Sequence, residues 1–239
     1  PKTRQAHSLH AYFLRQGDVA KPIVYDVDCI RDGKSFTTRR VRAVQKGRAI
    51  LNMSASFQIK ESGFEHQDTV PEVPGPDGIE SQLEIWRSMA DKIPEKARDS
   101  LLSEYPIELR PVNPINPFAP EKREPIRYNW MRAISRMWDD LGVHQYTLAY
   151  ASDFLLFSTS LYPHGHSFLE EGMQTTSLDH ALWFHRDFRI DEWLLYVMHS
   201  PNASGARGLN FGRIYTQDGR LVASVAQEGL MRFHAATEE

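Results

Sequence analysis

The sequence has a single cysteine, Cys29, among 239 residues. One thiol excludes an internal disulfide framework and is compatible with a reducing cytosol. No signal peptide, zinc-ligand spacing or prenylation box is present. Net charge is also scarce, at −3 with an isoelectric point near 6.4. Such a balance gives no general pull toward nucleic acid or an anionic membrane, so neither is an expected partner. Any anionic ligand must be met by local bases. The last residues, Ala236-Thr237-Glu238-Glu239, carry no peroxisomal tripeptide. The cytoplasm is therefore the expected compartment, ahead of a peroxisome. The sequence opens on Pro1 rather than Met, which leaves room for an upstream segment. Disorder is excluded as well: 41% hydrophobic and 25% charged residues predict a packed core.

What is present begins with strands. Ser8–Arg15, Ile23–Ile30, Ser35–Gln45 and Ala49–Ile59 are apolar or β-branched runs. Asp32-Gly33 and Lys46-Gly47 punctuate them, which predicts antiparallel hairpins. Residues 60–105 change character. A Pro- and Gly-rich loop (residues 70–78) precedes two short helices expected at Ser81–Lys92 and Glu95–Ser103. Strands are expected again at Ile107–Val112, Ile126–Ile134, Met173–His185, Trp193–His199, Ala206–Gln217 and Leu221–Met231. Gln217-Asp218-Gly219-Arg220 supplies a hairpin signal between the last two. The two strand blocks share a pattern: Ser8-Leu9 parallels Ser177-Leu178, and Gln45-Lys46-Gly47-Arg48 parallels Gln217-Asp218-Gly219-Arg220. This reads as an internal duplication, with halves at 1–105 and 106–239.

Val143–Leu161 contains no Gly, Pro, Lys or Arg and is apolar nearly all round. That pattern predicts one long helix, buried on most sides, in a globular domain. Asp153 lies within it. A carboxylate among apolar neighbours requires pairing, hydrogen bonds or a proton, and it serves either as a structural group or as a base. Two further polar residues fall where strands should face this helix: Ser177, and Gln227, which alternates in phase with Leu221, Ala223 and Val225. Asp153, Ser177 and Gln227 together could hold one water, the carboxylate accepting its proton and the other two fixing its direction. Taking the offset of Asp153 from Ser177 back from Ser8 lands before Pro1, so the duplication predicts that the first half's helix is missing from this sequence.

Rival constellations are weaker. Neighbours in one strand point to opposite faces, so Asp179 and His180 cannot both meet Ser177, and no Gly-x-Ser-x-Gly elbow occurs. His164, His166, His180 and His185 lack third and fourth ligands at usual spacing, so no metal or other cofactor is expected. Arg39, Arg40, Arg42, Lys46 and Arg48, with Arg186, Arg207 and Arg213, either hold phosphates or pair with acids.

Several runs then point one way. The stretch His7 to Asp18 (HSLHAYFLRQGD), Arg31-Asp32-Gly33-Lys34-Ser35-Phe36 and Phe64-Glu65-His66-Gln67 resemble the type II acyl-CoA thioesterases, the TesB-like family. So do Tyr150-Ala151-Ser152-Asp153, Leu178-Asp179-His180, Trp183-Phe184-His185-Arg186, Tyr215-Thr216-Gln217-Asp218-Gly219 and Gln227-Glu228-Gly229. The resemblance runs from His7 to Phe233. It implies an α+β double hot-dog, two antiparallel sheets each wrapping a long helix, with the first helix absent here. It implies hydrolysis of fatty acyl-CoA to acid and CoA without a covalent intermediate, and a homo-oligomer. It places the family's catalytic Asp on Asp153, its hydroxyl on Ser177 and its amide on Gln227. A dehydratase, or a non-catalytic acyl-CoA binder on a related scaffold, is the alternative expectation.

Overall fold

The computed structural model describes residues 3–234; residues 1–2 and 235–239, including Pro1 and the C-terminal tetrapeptide, lie outside the described residues. Its first four strands are β1 (Gln5–Phe13), β2 (Val24–Asp32), β3 (Phe36–Gln45) and β4 (Arg48–Gln58). Each hairpin is where the turn residues put it. Gln45 pairs with Arg48 across Lys46 and Gly47, both at positive φ, 49° and 72°. Two left-handed residues in a two-residue loop match the right-handed twist of the flanking strands. Gly33 closes the preceding turn by donating its amide to the carbonyl of Phe36 at 2.9 Å.

A connector follows, with α1 (Gln82–Ser88) and α2 (Glu95–Leu102). Ser81 and Glu84 cap α1 reciprocally, side chain to backbone in both directions. Then come β5 (Ile107–Pro111), β6 (Ile126–Ala133), α3 (Leu141–Ala151), a 3₁₀ turn (Phe157–His164), β7 (Met173–Ser177), β8 (Asp179–Phe184), β9 (Leu194–Ser204), β10 (Arg207–Thr216) and β11 (Leu221–Phe233).

The strands form one sheet in the order β2-β3-β4-β1-β8-β11-β10-β9-β6-β5, with β7 also on β11. The first set, β2-β3-β4-β1, and the set β9-β10-β11-β8 pair in the same order, and they meet where β1 runs antiparallel to β8 from Ser8↔Trp183 to Tyr12↔Asp179. α3 packs on the second set. Leu148, Ala151 and Leu156 join Leu182, Leu194, Met198, Ile214, Val222 and Val225 in one buried core. α3 meets the first set at β1, where Gln145 donates to the carbonyl of Ala6 at 2.9 Å. Among the described residues no helix lies across β2 or β3, and β2 is exposed along its whole length.

Three expectations need correction. The long helix does not run from Val143 to Leu161; α3 ends at Ala151 with Ser152 as its C-cap. In a continuing helix the carbonyl of Ser152 would accept from the amide four residues on. Here it accepts from the buried Tyr196 hydroxyl at 2.7 Å, and Leu155 turns left-handed at φ 67°. The strand expected over Met173–His185 breaks at Leu178, whose amide bonds the carbonyl of Glu228. β9 runs beyond His199 to Ser204, crossing Pro201 beside a shift in register.

Candidate active site

The break after α3 is what positions Asp153. Ser152 is fully buried, and its hydroxyl bonds both the carbonyl of Ala149 (3.0 Å) and Nε2 of His180 (2.9 Å). With Ser152 anchored to β8 through its side chain and to β9 through its carbonyl, the next residue is carried out of the helix. Asp153 is therefore exposed rather than sealed among apolar side chains, which corrects the reading of a buried carboxylate.

Gln227 approaches from β11. It shares the helix-facing side with Ala223 and Val225 and is completely buried. Its Nε2 donates to Oδ1 of Asp153 at 2.5 Å and to Oγ of Ser177 at 3.1 Å. One amide group thus joins the three sequence-predicted residues, drawn from the turn after α3, the end of β7 and the middle of β11. Its Oε1 is buried without a protein partner among the described residues. A buried carbonyl left in that state costs about 1–3 kcal/mol, so the amide is held there by its surroundings rather than by its own satisfaction.

Those surroundings explain the Gln227-Glu228-Gly229 run. A Cβ on Gly229 would lie 2.2 Å from the Phe157 ring, so only glycine lets the 3₁₀ turn settle on β11. The amide of Glu228 donates to Oδ1 of Asp179 at 2.7 Å, which ties β11 to the start of β8 one residue from Gln227. The rival trio is not assembled. Ser177 bonds Gln227, Asp179 takes a backbone amide and His180 faces Ser152.

Burial also fixes protonation around the carboxylate. It holds His180 below its ordinary value, against the opposing pull of Asp153 and Asp179. It pushes Tyr196 well above its ordinary value, and the charge of Asp153 adds to this. Near neutral pH the tyrosine keeps the proton it donates to Ser152, and the imidazole is neutral. Ser152 and Tyr196 were not singled out from the sequence. Asp179 and His180 entered it only in the discounted trio, and His180 also as a weak metal candidate, not as groups that position Asp153. Ser152, Asp179 and His180 stand inside the Tyr-Ala-Ser-Asp and Leu-Asp-His runs, whereas nothing local marks Tyr196.

The other candidates have other partners. Arg39 pairs with Asp32 at 2.6 Å, Arg40 with Asp28 at 2.8 Å, and Arg42 with Asp26, in rungs between β2 and β3. Arg207 meets Glu228 and Arg213 meets Asp68. His166 bonds Glu170 and His185 bonds Ser224. Among the described residues no group of three or more His, Cys, Asp or Glu side chains gathers as metal ligands.

A family described as acyl-CoA thioesterase matches residues 96–230, and one described as the acyl-CoA thioesterase N-terminal domain matches residues 1–58. The chain is 41% identical to acyl-CoA thioesterase 2 of Haemophilus influenzae over 98% of its own length and 82% of that protein's. It superimposes on the crystal structure of acyl-CoA thioesterase II TesB2 from Mycobacterium marinum with a TM-score of 0.80 at 41% identity. That match covers 98% of this chain and 83% of the other. A conserved protein with a hot dog fold from Alicyclobacillus acidocaldarius, 18% identical, matches with a TM-score of 0.74 over 97% of this chain and 80% of its own. At that identity the likeness concerns the fold alone, and it identifies the α+β arrangement as a hot-dog.

Proposed function

The chain belongs to the acyl-CoA thioesterase family, and from that premise we propose that it hydrolyses fatty acyl-CoA to a free acid and CoA with a water activated by Asp153. The observation that carries this reading is the Gln227 amide bonded at once to Asp153 and Ser177. The carboxylate is exposed, so a solvent molecule reaches it; the amide and hydroxyl are fixed, so they orient that molecule. The water oxygen attacks the thioester carbonyl carbon while Asp153 accepts its proton. The C–S bond then breaks, the acyl group leaves as the acid, and the proton passes to the CoA sulfur. No covalent intermediate and no cofactor enters this scheme.

Release of free thiol tests the proposal. Asp153→Ala and Gln227→Ala should each lower kcat by about a thousandfold, within the range for a positioned general base, while circular dichroism stays native. Wild-type-like turnover in either variant removes the assignment. Ser177→Ala should cost less, about tenfold to a hundredfold, because its task is orientation; a greater loss than at Asp153 would make Ser177 a nucleophile. A change at the substrate's double bond without CoA release would favour a dehydratase, and binding alone an acyl-CoA carrier.

The same reading divides the chain into a first hot-dog half with its connector (1–105) and a second half carrying the site (106–239). It also assigns a homo-oligomer, consistent with an edge strand β2 that exposes Val24, Tyr25, Val27 and Ile30. Cytoplasmic residence stays part of this proposal. Among the described residues no helix is long and apolar enough to cross a membrane.

A further inference from the structure

The arginines that the sequence offered for phosphate, Arg39, Arg40, Arg42, Arg207 and Arg213, all face acids. Arg127 of β6 does not. Its Nη1 donates to Oγ of Ser158 in the 3₁₀ turn at 3.0 Å, and among the described residues its other N–H groups have no partner. The neighbouring groups whose charge bears on it are Tyr162 and a second guanidinium, Arg123, with no carboxylate among them. A guanidinium drawn out of bulk water without an acid is unfavourable unless something else meets it.

A cleft of about 60 Å³ lies against Arg127, with Ser158, Tyr162, His166 and Ser167 also in its wall. It has room for about four water-sized groups. Tyr162 is 6% exposed, and its buried hydroxyl has no partner among the described residues. Burial raises the pKa of this phenol, so near neutral pH it keeps a proton to donate. Arg123 stands over the Tyr162 ring, 5.7 Å from its centroid, and its amide donates to the Tyr162 carbonyl at 3.1 Å. Glu170, an acid at this end of the molecule, is taken up by Nδ1 of His166 at 2.7 Å.

Two guanidinium charges, open N–H groups and an unused hydroxyl donor suit an anion that carries several oxygens. A carboxylate would offset one charge, whereas a phosphate group carries about −1.5 to −2 near pH 7. We infer that this cleft beside the 3₁₀ turn binds a phosphate group, held by the Arg127 guanidinium and the Tyr162 hydroxyl, with Arg123 adding charge. None of Asp153, Ser177 and Gln227 lines the cleft, so the inference does not rest on the hydrolytic reading. The group comes either as inorganic phosphate or as part of CoA.

Isothermal titration with inorganic phosphate, at an ionic strength held constant with chloride, tests the inference. Wild type should bind one phosphate. Arg127→Met keeps the length of the side chain and should weaken binding at least about tenfold, as for losing a hydrogen bond to a charged group. Tyr162→Phe keeps the ring under Arg123 and should weaken it about fivefold. CoA and 3′-dephospho-CoA, added as competitors, separate the sources. Displacement by CoA alone assigns the site to its 3′-phosphate, displacement by both to its diphosphate, and displacement by neither to free phosphate; each upholds a phosphate site. Absence of saturable phosphate binding in wild type overturns the inference, and so does equal affinity in wild type and both variants. If Arg127→Met fails to fold, Tyr162→Phe decides alone, and wild-type affinity there overturns it.

Discussion

The two four-strand sets pair in the same order, yet they end in opposite environments. In the second, Leu182, Leu194, Met198 and Ile214 have no exposed surface. In the first, Val24, Tyr25, Val27 and Ile30 are exposed by 64%, 65%, 56% and 50%. The backbone ladders do not distinguish them; what packs across does. α3 and the connector supply the second set with a layer to bury against, and a sheet without such a layer keeps its apolar side chains in solvent. Pairing order is thus set by turns and alternation, and stability by the partner layer.

Truncation in the two sets should expose that difference most widely. Met198→Ala removes a fully buried side chain and should cost about 2–5 kcal/mol, from lost burial and the cavity left behind. Val27→Ala, at an exposed position of the same apolar type, should stay within about 0.5 kcal/mol. Urea midpoints of the two variants measure the gap, and equal losses would mean that the first set is covered in solution.

The ion pairs repeat the contrast at a smaller scale. Arg40–Asp28 joins two half-exposed groups on β2 and β3, and such a pair contributes under about 1 kcal/mol. Asp191 is enclosed: its carboxylate takes Arg189 at 2.8 Å and the amide of Met137 at 2.8 Å, clamping the segment that leads into α3. The Arg189 guanidinium holds this carboxyl at about 2, below its ordinary 3.8. Asp191→Asn should therefore cost about 2 kcal/mol, as for a hydrogen bond to a charged group, and Asp28→Asn far less. A folded pKa below the unfolded one means that the stability from Asp191 is fully present above 3.8 and is lost as pH falls toward 2. Acid titrations of wild type and Asp191→Asn should converge over that window.

How much of this was legible follows the same division. Asp32-Gly33, Lys46-Gly47 and Asp218-Gly219 announced their hairpins because the signal is carried by the turn residues themselves. Asp153, Ser177 and Gln227 were legible as residue types and by resemblance, and the structure brings them together through one amide. The end of α3 was not legible. Val143–Leu161 is continuous in pattern, and the stop comes from Tyr196, 44 residues away, taking the carbonyl of Ser152. For the same reason Asp153 read as enclosed when it is exposed. The break at Leu178 likewise depends on a carbonyl of β11. The sequence left the arginines of β3 to hold phosphates or to pair with acids, and the choice needed β2 beside them, with Asp26 opposite Arg42 and Asp28 opposite Arg40.

The finest form of the comparison is a pair of histidines in adjoining strands. His7 of β1 bonds Ser56 at 2.8 Å, and His180 of β8 bonds Ser152 at 2.9 Å; burial holds both below their ordinary value near 6.5. A lowered folded pKa means that the unfolded chain binds the proton first, so neither costs stability above pH 6.5 and each does so as pH falls from there toward its folded pKa. His180 is 5% exposed, and its Nδ1 has no protein partner among the described residues, whereas His7 lies only partly buried on the less covered set. Protonating His180 places a charge inside the core beside Ser152; protonating His7 places one near solvent. Between pH 7.5 and 5.5, wild type should lose denaturant stability, His7→Gln should lose nearly as much, and His180→Gln should lose visibly less from a lower starting point. If the two variants respond alike, the difference in burial between the sets does not reach the histidines at their border, and the contrast belongs to the apolar side chains alone.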